Sequence, residues 1–270
     1  MDGKRNSDWK RGCSMSDLNL LFRERIGFPE EEPITFDKLA IVLEKTAKSI
    51  PFENMRVIEK SSRDITVENV VEKILDHHEG GLCYELNALL YRFLAENQFH
   101  VSLTRGVIYD HGSGNWSPTG NTHVVILLDY NGDLYVVDTG FGANLPLKPV
   151  PLSGETVVSE NGEFRIKPSG EAYVLEMKRR YKDEEWKTGY AFTIDKTFKD
   201  VSVLNEIQSI IAQSPESPFN RQPLITKLID GGMMVLTATS FKILKDGEMQ
   251  EEEIDASRFR EIAERFFDMK

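Results

Sequence analysis

Residues 122–140 read THVVILLDYNGDLYVVDTG, two runs rich in Val, Ile, Leu and Tyr on either side of Asn131-Gly132. Asn-Gly readily adopts the two positive-φ positions of a tight hairpin turn, so the stretch is expected to be a β-hairpin with a two-residue loop. That register pairs Tyr130 with Asp133 and Val125 with Asp138. His123 then shares a face with Asp138 and lies diagonally across from it. The backbone separation on that diagonal is about 7–8 Å, within reach of an imidazole–carboxylate contact. A three-residue loop would slip the register and put the two side chains on opposite faces. A histidine and an acid facing inward on an apolar hairpin are costly unless they pair. Taken alone, the hairpin favours a structural His–Asp bond.

Upstream, Glu79-Gly80-Gly81-Leu82-Cys83 leads directly into a helical pattern carrying Leu86, Leu89, Leu90, Phe93 and Leu94. The two glycines permit close approach of other groups to the backbone. Cys83 falls in the first helical turn, where unpaired N–H groups and the helix dipole favour an anion. A glycine pair before a helix is common, and a lone thiol is more often a small buried hydrophobe than a nucleophile. The conjunction with His123 and Asp138 changes the balance. In the Cys–His–Asp reading, Asp138 orients the ring, His123 takes the thiol proton and Cys83 carries an acyl group.

The rest of the chain divides by period. Residues 16–97 read helical: Leu39, Val42, Leu43, Ala47 and Ile50 recur at helical spacing, as do Val70, Val71, Ile74 and Leu75 after an N-cap at Thr66. Residues 98–198 read as strands, with a further hairpin turn at Asn161-Gly162. A linking helix is expected over 199–215, and 216–270 offers ITKLI, a Gly231-Gly232 turn, MMVLTATSFKIL and a closing helix. Residues 1–15 are expected to be a disordered tail, with Met15 either the native start or an internal residue. The expected class is α+β, in several parts.

A formal net charge of −11 over 270 residues argues against nonspecific nucleic-acid binding and against anionic membrane surfaces. No apolar run approaches the roughly 20 residues of a membrane span, and no signal-peptide pattern opens the chain. A cytoplasmic protein is expected. The chain has two cysteines, Cys13 and Cys83, too few for a Cys-rich zinc site, and their separation of seventy residues argues against a disulfide framework. No His, Asp and Glu set has metal-ligand spacing, and no tightly bound cofactor is expected. His77 and His78 end a helix and suit a capping role. His100 and His111 have no acid at strand spacing. Glu251, Glu252 and Glu253 read as solvated surface.

With those residues in place, the chain resembles the arylamine N-acetyltransferase family. The resemblance rests on IPFEN at 50–54, GGLCYELN at 80–87, TGNTH at 119–123 and VDTGFG at 137–142, in the family's order. LFRERIGF, GYAFTI and SPFN extend it over nearly everything from Ser16 onward. It implies a helical bundle, a β-barrel and an α/β lid around a cysteine-protease-like Cys-His-Asp core. It also implies ping-pong transfer from acetyl-coenzyme A, a cosubstrate, to arylamines, arylhydrazines or N-hydroxyarylamines. By motif, Phe52 and Phe141 would line the aryl pocket, and Thr119, Gly120, Thr122 and Gly142 would approach the coenzyme A arm. The sequence departs from the family at Glu79, where the family has an Arg thought to pair with the acid equivalent to Glu53. Two acids there would repel, so a swapped pair between Glu79 and Arg56 is expected. Thr139, where the family often has Val, is expected not to touch the triad. Rival readings are a Cys–His–Asp amide synthase or hydrolase of related fold, and a catalytically silent binder of aromatic ligands. The oligomeric state is not legible in the sequence.

Overall fold

The structure is a computed structural model that describes residues 15–269. Most of the expected tail, with Cys13, lies outside those residues. The N-terminal unit is helical: α1 (Met15–Ile26), α2 (Leu39–Ser49), α3 (Met55–Ile58), α4 (Val67–Val71) and α5 (Cys83–Glu96), with a π-turn at Glu72–Asp76 directly after α4. Leu39, Val42, Leu43 and Ala47 form the buried face of α2. Thr66 caps α4, its Oγ1 accepting from the Asn69 N–H at 3.2 Å. Helix α5 is buried from Tyr84 to Leu94 apart from Arg92, as the central element of a bundle must be.

Part of the segment read as helical is a strand. Phe52–Glu53 forms β1, which leaves the helical unit and pairs antiparallel with the C-terminal sheet, Phe52 opposite Thr226. Asn54 fixes that junction. Its side chain donates to Phe219 O and Gln222 O (2.8 and 2.9 Å) and accepts from Leu224 N–H (2.8 Å).

The middle of the chain supplies β2 (His100–Asp110), β3 (Asn115–Trp116), β4 (His123–Tyr130), β5 (Asp133–Val137), β6 (Val150–Pro151), β7 (Val157–Ser159), β8 (Gly162–Ser169), β9 (Ala172–Arg179) and β10 (Lys187–Phe192). They form one antiparallel sheet in the order β6-β5-β4-β2-β10-β9-β8-β7, with β3 added to β2. The sheet curls into a near-closed barrel, bringing β6 against β8. The β4–β5 turn has the positive φ values of Asn131 (55°) and Gly132 (89°), and Tyr130 pairs with Asp133. This is the two-residue register that places His123 and Asp138 on one face.

From His123 to Leu128 strand β4 is buried on both sides, which is why residues 124–128 form a continuous apolar run. Val124, Ile126 and Leu128 pack into the helical core, while Val125 and Leu127 face the barrel core. The strand is thus the wall shared by α5 and the barrel, and His123 opens it on the barrel side.

After α6 (Leu204–Gln213), strands β11 (Leu224–Ile229), β12 (Gly232–Thr237), β13 (Ser240–Lys245) and β14 (Glu248–Glu253) form a sheet with β1, closed by α7 (Ala256–Phe267). The run MMVLTATSFKIL is divided by a turn at Ala238-Thr239. The acidic stretch read as solvated surface is an edge strand with every residue exposed, and its charges discourage further pairing. The architecture is α+β: a helical bundle, a barrel and an α/β lid. Among the described residues no helix is long and apolar enough to cross a membrane.

Candidate active site

Cys83 begins α5, with Leu82 at the N-cap position. The Glu85 and Leu86 N–H groups close the first turn onto Leu82 O at 3.0 Å, and Glu85 Oε2 accepts the Leu82 N–H at 2.9 Å. The Cys83 thiol is half-buried and points to the start of β4, 3.5 Å from Thr122 O. The next residue on that strand is His123. Its Nε2 meets Asp138 Oδ2 at 2.8 Å, with both side chains buried. With Nε2 engaged, Nδ1 is the ring nitrogen left for the thiol. Burial opposes a charged imidazole, but Asp138 and then the Cys83 side chain outweigh it, and the His123 pKa is pushed up to about 10. The geometry therefore favours an imidazolium beside the sulfur.

Asp138 is itself held. Its Oδ1 accepts from the Gly140 N–H (2.7 Å) and from Asn87 Nδ2 (2.8 Å). Asn87 is fully buried on α5, one turn beyond Cys83 on the same face. It also donates to Val124 O and accepts from the Thr139 N–H and hydroxyl (2.8, 2.9 and 3.1 Å). Thr139, expected to leave the triad untouched, is a partner of the residue that anchors Asp138. Asn87 was missed in the sequence; its signal was an amide four residues after the thiol, the spacing that puts it on the same helix face. Tyr190 was missed as well. Its ring lies 4.5 Å from that of His123. Burial, with Asp138 adding to it, pushes its phenol well above the usual range and keeps it neutral.

Phe141 packs against the imidazole, ring centroids 5.4 Å apart, and edge-on to Tyr190 at 5.1 Å. Phe52 bridges to Gly81 and meets Phe219 edge-on at 5.6 Å, adding a third aromatic side chain that the motifs did not single out. Gly142 lies beside Phe52, with a Cβ built on it 3.9 Å from that ring. Thr119 and Thr122 join their hydroxyls at 2.9 Å across a turn through Gly120, which has a positive φ of 69°. That turn runs straight into His123. Of the other histidines, His78 bonds Asp268 of α7's C-terminus at 2.8 Å, and His111 bonds Thr188 O. Among the described residues no group of three His, Cys, Asp or Glu side chains could hold a metal.

Gly140 closes the site on its far side. A Cβ there would fall 2.5 Å from Cys83 Cα and 2.8 Å from Cys83 Cβ, both immovable without shifting the thiol. Gly140→Ala is expected to lower the rate of Cys83 acylation about 100-fold, the cost of displacing a reacting group by roughly 1 Å. Rates within a factor of two of the parent would show that the loop yields instead.

The charge departure resolves as expected, with one addition. Arg56 Nε and Nη2 each bond a Glu79 carboxylate oxygen at 2.7 Å. Glu53 is taken by a residue not singled out in the sequence, Lys73, at 2.9 Å. Arg56→Ala removes a bidentate pair that is only partly buried. It is expected to cost about 1 kcal/mol, above the roughly 0.5 kcal/mol of a typical surface change. A lower urea midpoint at constant slope reads this directly, and an unchanged midpoint would contradict it.

A model of the N-acetyltransferase family matches residues 35–270. The chain belongs to the arylamine N-acetyltransferase family. Such proteins are acyltransferases. An uncharacterized acetyltransferase of Bacillus subtilis (strain 168), YvcN, is 41% identical over 251 residues, covering 92% of this chain and 96% of the relative. An arylamine N-acetyltransferase / N-hydroxyarylamine O-acetyltransferase of Salmonella typhimurium is 30% identical over 207 residues, covering 76% of this chain and 71% of the relative. Among solved structures, arylamine N-acetyltransferase C from Bacillus anthracis superposes with a TM-score of 0.89 at 36% identity, covering 95% of this chain and all of that one. A Bacillus cereus arylamine N-acetyltransferase superposes at 0.88 and 35% identity, covering 94% and 99%, and is described as having a unique Cys-His-Glu catalytic triad. In this N-acetyltransferase the acid against the histidine is an aspartate, Asp138.

Proposed function

We propose that the protein transfers an acetyl group from acetyl-coenzyme A to arylamines, arylhydrazines or N-hydroxyarylamines through a thioester on Cys83. The observation that carries this is the convergence of a helix-start thiol with a buried His–Asp pair whose charged imidazole is favoured. In the first half-reaction His123 takes the Cys83 proton, and the thiolate attacks the thioester carbonyl of acetyl-coenzyme A. The C–S bond to coenzyme A breaks, and His123 returns the proton to the departing thiolate. In the second, the amine attacks the acetyl carbon, His123 accepts its proton, and Cys83 leaves as the thiolate. The Cys83 and Tyr84 N–H groups, which precede the first intrahelical bond of α5, suit the oxyanion of each tetrahedral intermediate.

The Thr119–Thr122 turn and Gly142 offer hydroxyls and open backbone for the coenzyme A arm. Phe52 and Phe141, joined by Phe219, offer an aromatic wall for the aryl group. The Salmonella relative's name, which couples N- and O-acetylation, supports the breadth of acceptors. A free thiol nucleophile fits a reducing cytoplasm. Initial rates with acetyl-coenzyme A and an arylamine varied together test the scheme. Parallel double-reciprocal lines, with coenzyme A released before amine is added, are expected. Intersecting lines with no release in the absence of amine would overturn it.

A further inference from the structure

The acetyl-transfer scheme makes no use of the buried cation Lys73. Lys73 is 3% exposed, and its ammonium contacts Glu53 Oε1 at 2.9 Å and Glu85 Oε1 at 2.7 Å. Both acids are buried. Burial works against the charge on Lys73, but the two carboxylates outweigh it and hold the ammonium above its ordinary range. Burial raises the Glu85 carboxyl, and Lys73 opposes that rise.

This trio surrounds the segment that delivers the nucleophile. Glu85 Oε2 accepts the Leu82 N–H at 2.9 Å, so the residue before Cys83 hangs on Glu85. Gly81 lies flat on the same side chain: a Cβ there would meet Glu85 Cβ at 2.9 Å and Oε2 at 3.0 Å. Glu53 N–H donates to Gly81 O at 3.0 Å, and a Cβ on Gly80 would meet Glu53 Cγ at 2.9 Å. Lys73 O itself accepts the Glu79 N–H at 3.1 Å. Residues 79–82 are thus held from both flanks by Lys73 and its two acids. Lys73 reaches this place from the π-turn of residues 72–76, closed by His77 N–H on Glu72 O at 2.9 Å. A π-turn shifts the phase of the helix face.

Resting on the acetyl-transfer reading of Cys83, we propose that Lys73 is a positioning residue for the nucleophile, clamping Glu53 and Glu85 so that the backbone of Gly80–Cys83 aims the thiol at His123. It touches no reacting atom. A role confined to balancing buried charge is the alternative, and the two roles separate experimentally.

The experiment follows iodoacetamide alkylation of Cys83, read at that residue by peptide mass spectrometry, and its acetylation by acetyl-coenzyme A, each beside Tm. The variants are Lys73→Met, Lys73→Met with Glu85→Gln, and Lys73→Arg. Lys73→Met is expected to lower Tm and slow both reactions about tenfold or more, with the acetyl-coenzyme A concentration for half-maximal rate little changed. The double variant restores the net buried charge, and is expected to regain Tm but remain slow. Lys73→Arg keeps the charge while redirecting its donors, and is expected to be slow at near-parental Tm; it decides the matter if the Met variants do not fold. Parental rates in the double variant or in Lys73→Arg would overturn the proposal and leave Lys73 a charge balance only. If the parent alkylates at Cys83 yet takes no acetyl group, the acetyl-transfer reading fails, while the alkylation rates still decide the role of Lys73.

Discussion

Replacing Cys83 with Ala is expected to reduce acetyl transfer to background, about 10⁵-fold or more, the scale seen when a covalent nucleophile is removed. No neighbouring group can take over. The Thr122 hydroxyl is occupied by Thr119 at 2.9 Å, and Cys83 is the free cysteine of the described residues. The fold should hardly notice. The thiol is half-buried and its polar contact in the site is a 3.5 Å approach to Thr122 O. Acetyl-coenzyme A-dependent acetylation of an arylamine, measured beside Tm, checks both statements. A variant that kept more than about 1% of the parental rate would place the nucleophile elsewhere, since an oxyanion site and binding alone leave far less.

Asp138→Asn is expected to cost about 10³–10⁴-fold in the same assay, as it does where an acid orients a catalytic imidazole. Asp138 is the leading influence raising the His123 pKa to about 10, while burial opposes it. Without the carboxylate, burial prevails and the neutral imidazole gains ground. Cys83 alkylation should then lose most at low pH, and its pH profile should move upward. The stability linkage has a matching sign. A raised histidine pKa contributes stability that is complete below its unfolded value of 6.5 and is lost as pH rises through about 10. Denaturant midpoints of the parent should therefore fall across that window more steeply than those of Asp138→Asn. Equal slopes would mean that Asp138 does not hold the charge on His123.

The His123–Asp138 pair was legible because a strand has period two and Asn-Gly fixes the hairpin register; nothing beyond local sequence was needed. The approach of Cys83 was not legible in that way. It depends on α5 packing against β4, a contact between distant segments; the residue types suggested the Cys–His–Asp reading, and the family resemblance strengthened it. Asn87 was hidden by looking like an ordinary polar position, although its spacing from Cys83 placed it on the same face. Lys73 was hidden by the π-turn, because ideal helical spacing assigns it to the wrong side. Strand β1 escaped notice since its partner lies far along the chain, 170 residues separating Asn54 from Leu224. The acidic β14 carried no alternation because both of its faces are exposed.

The most direct test of the acetyl-cysteine scheme is intact-protein mass spectrometry after brief mixing with acetyl-coenzyme A and no amine. A single added acetyl group that maps to Cys83 and disappears when an arylamine is added is the expected result. A folded protein whose Cys83 alkylates readily yet never gains an acetyl group would contradict it.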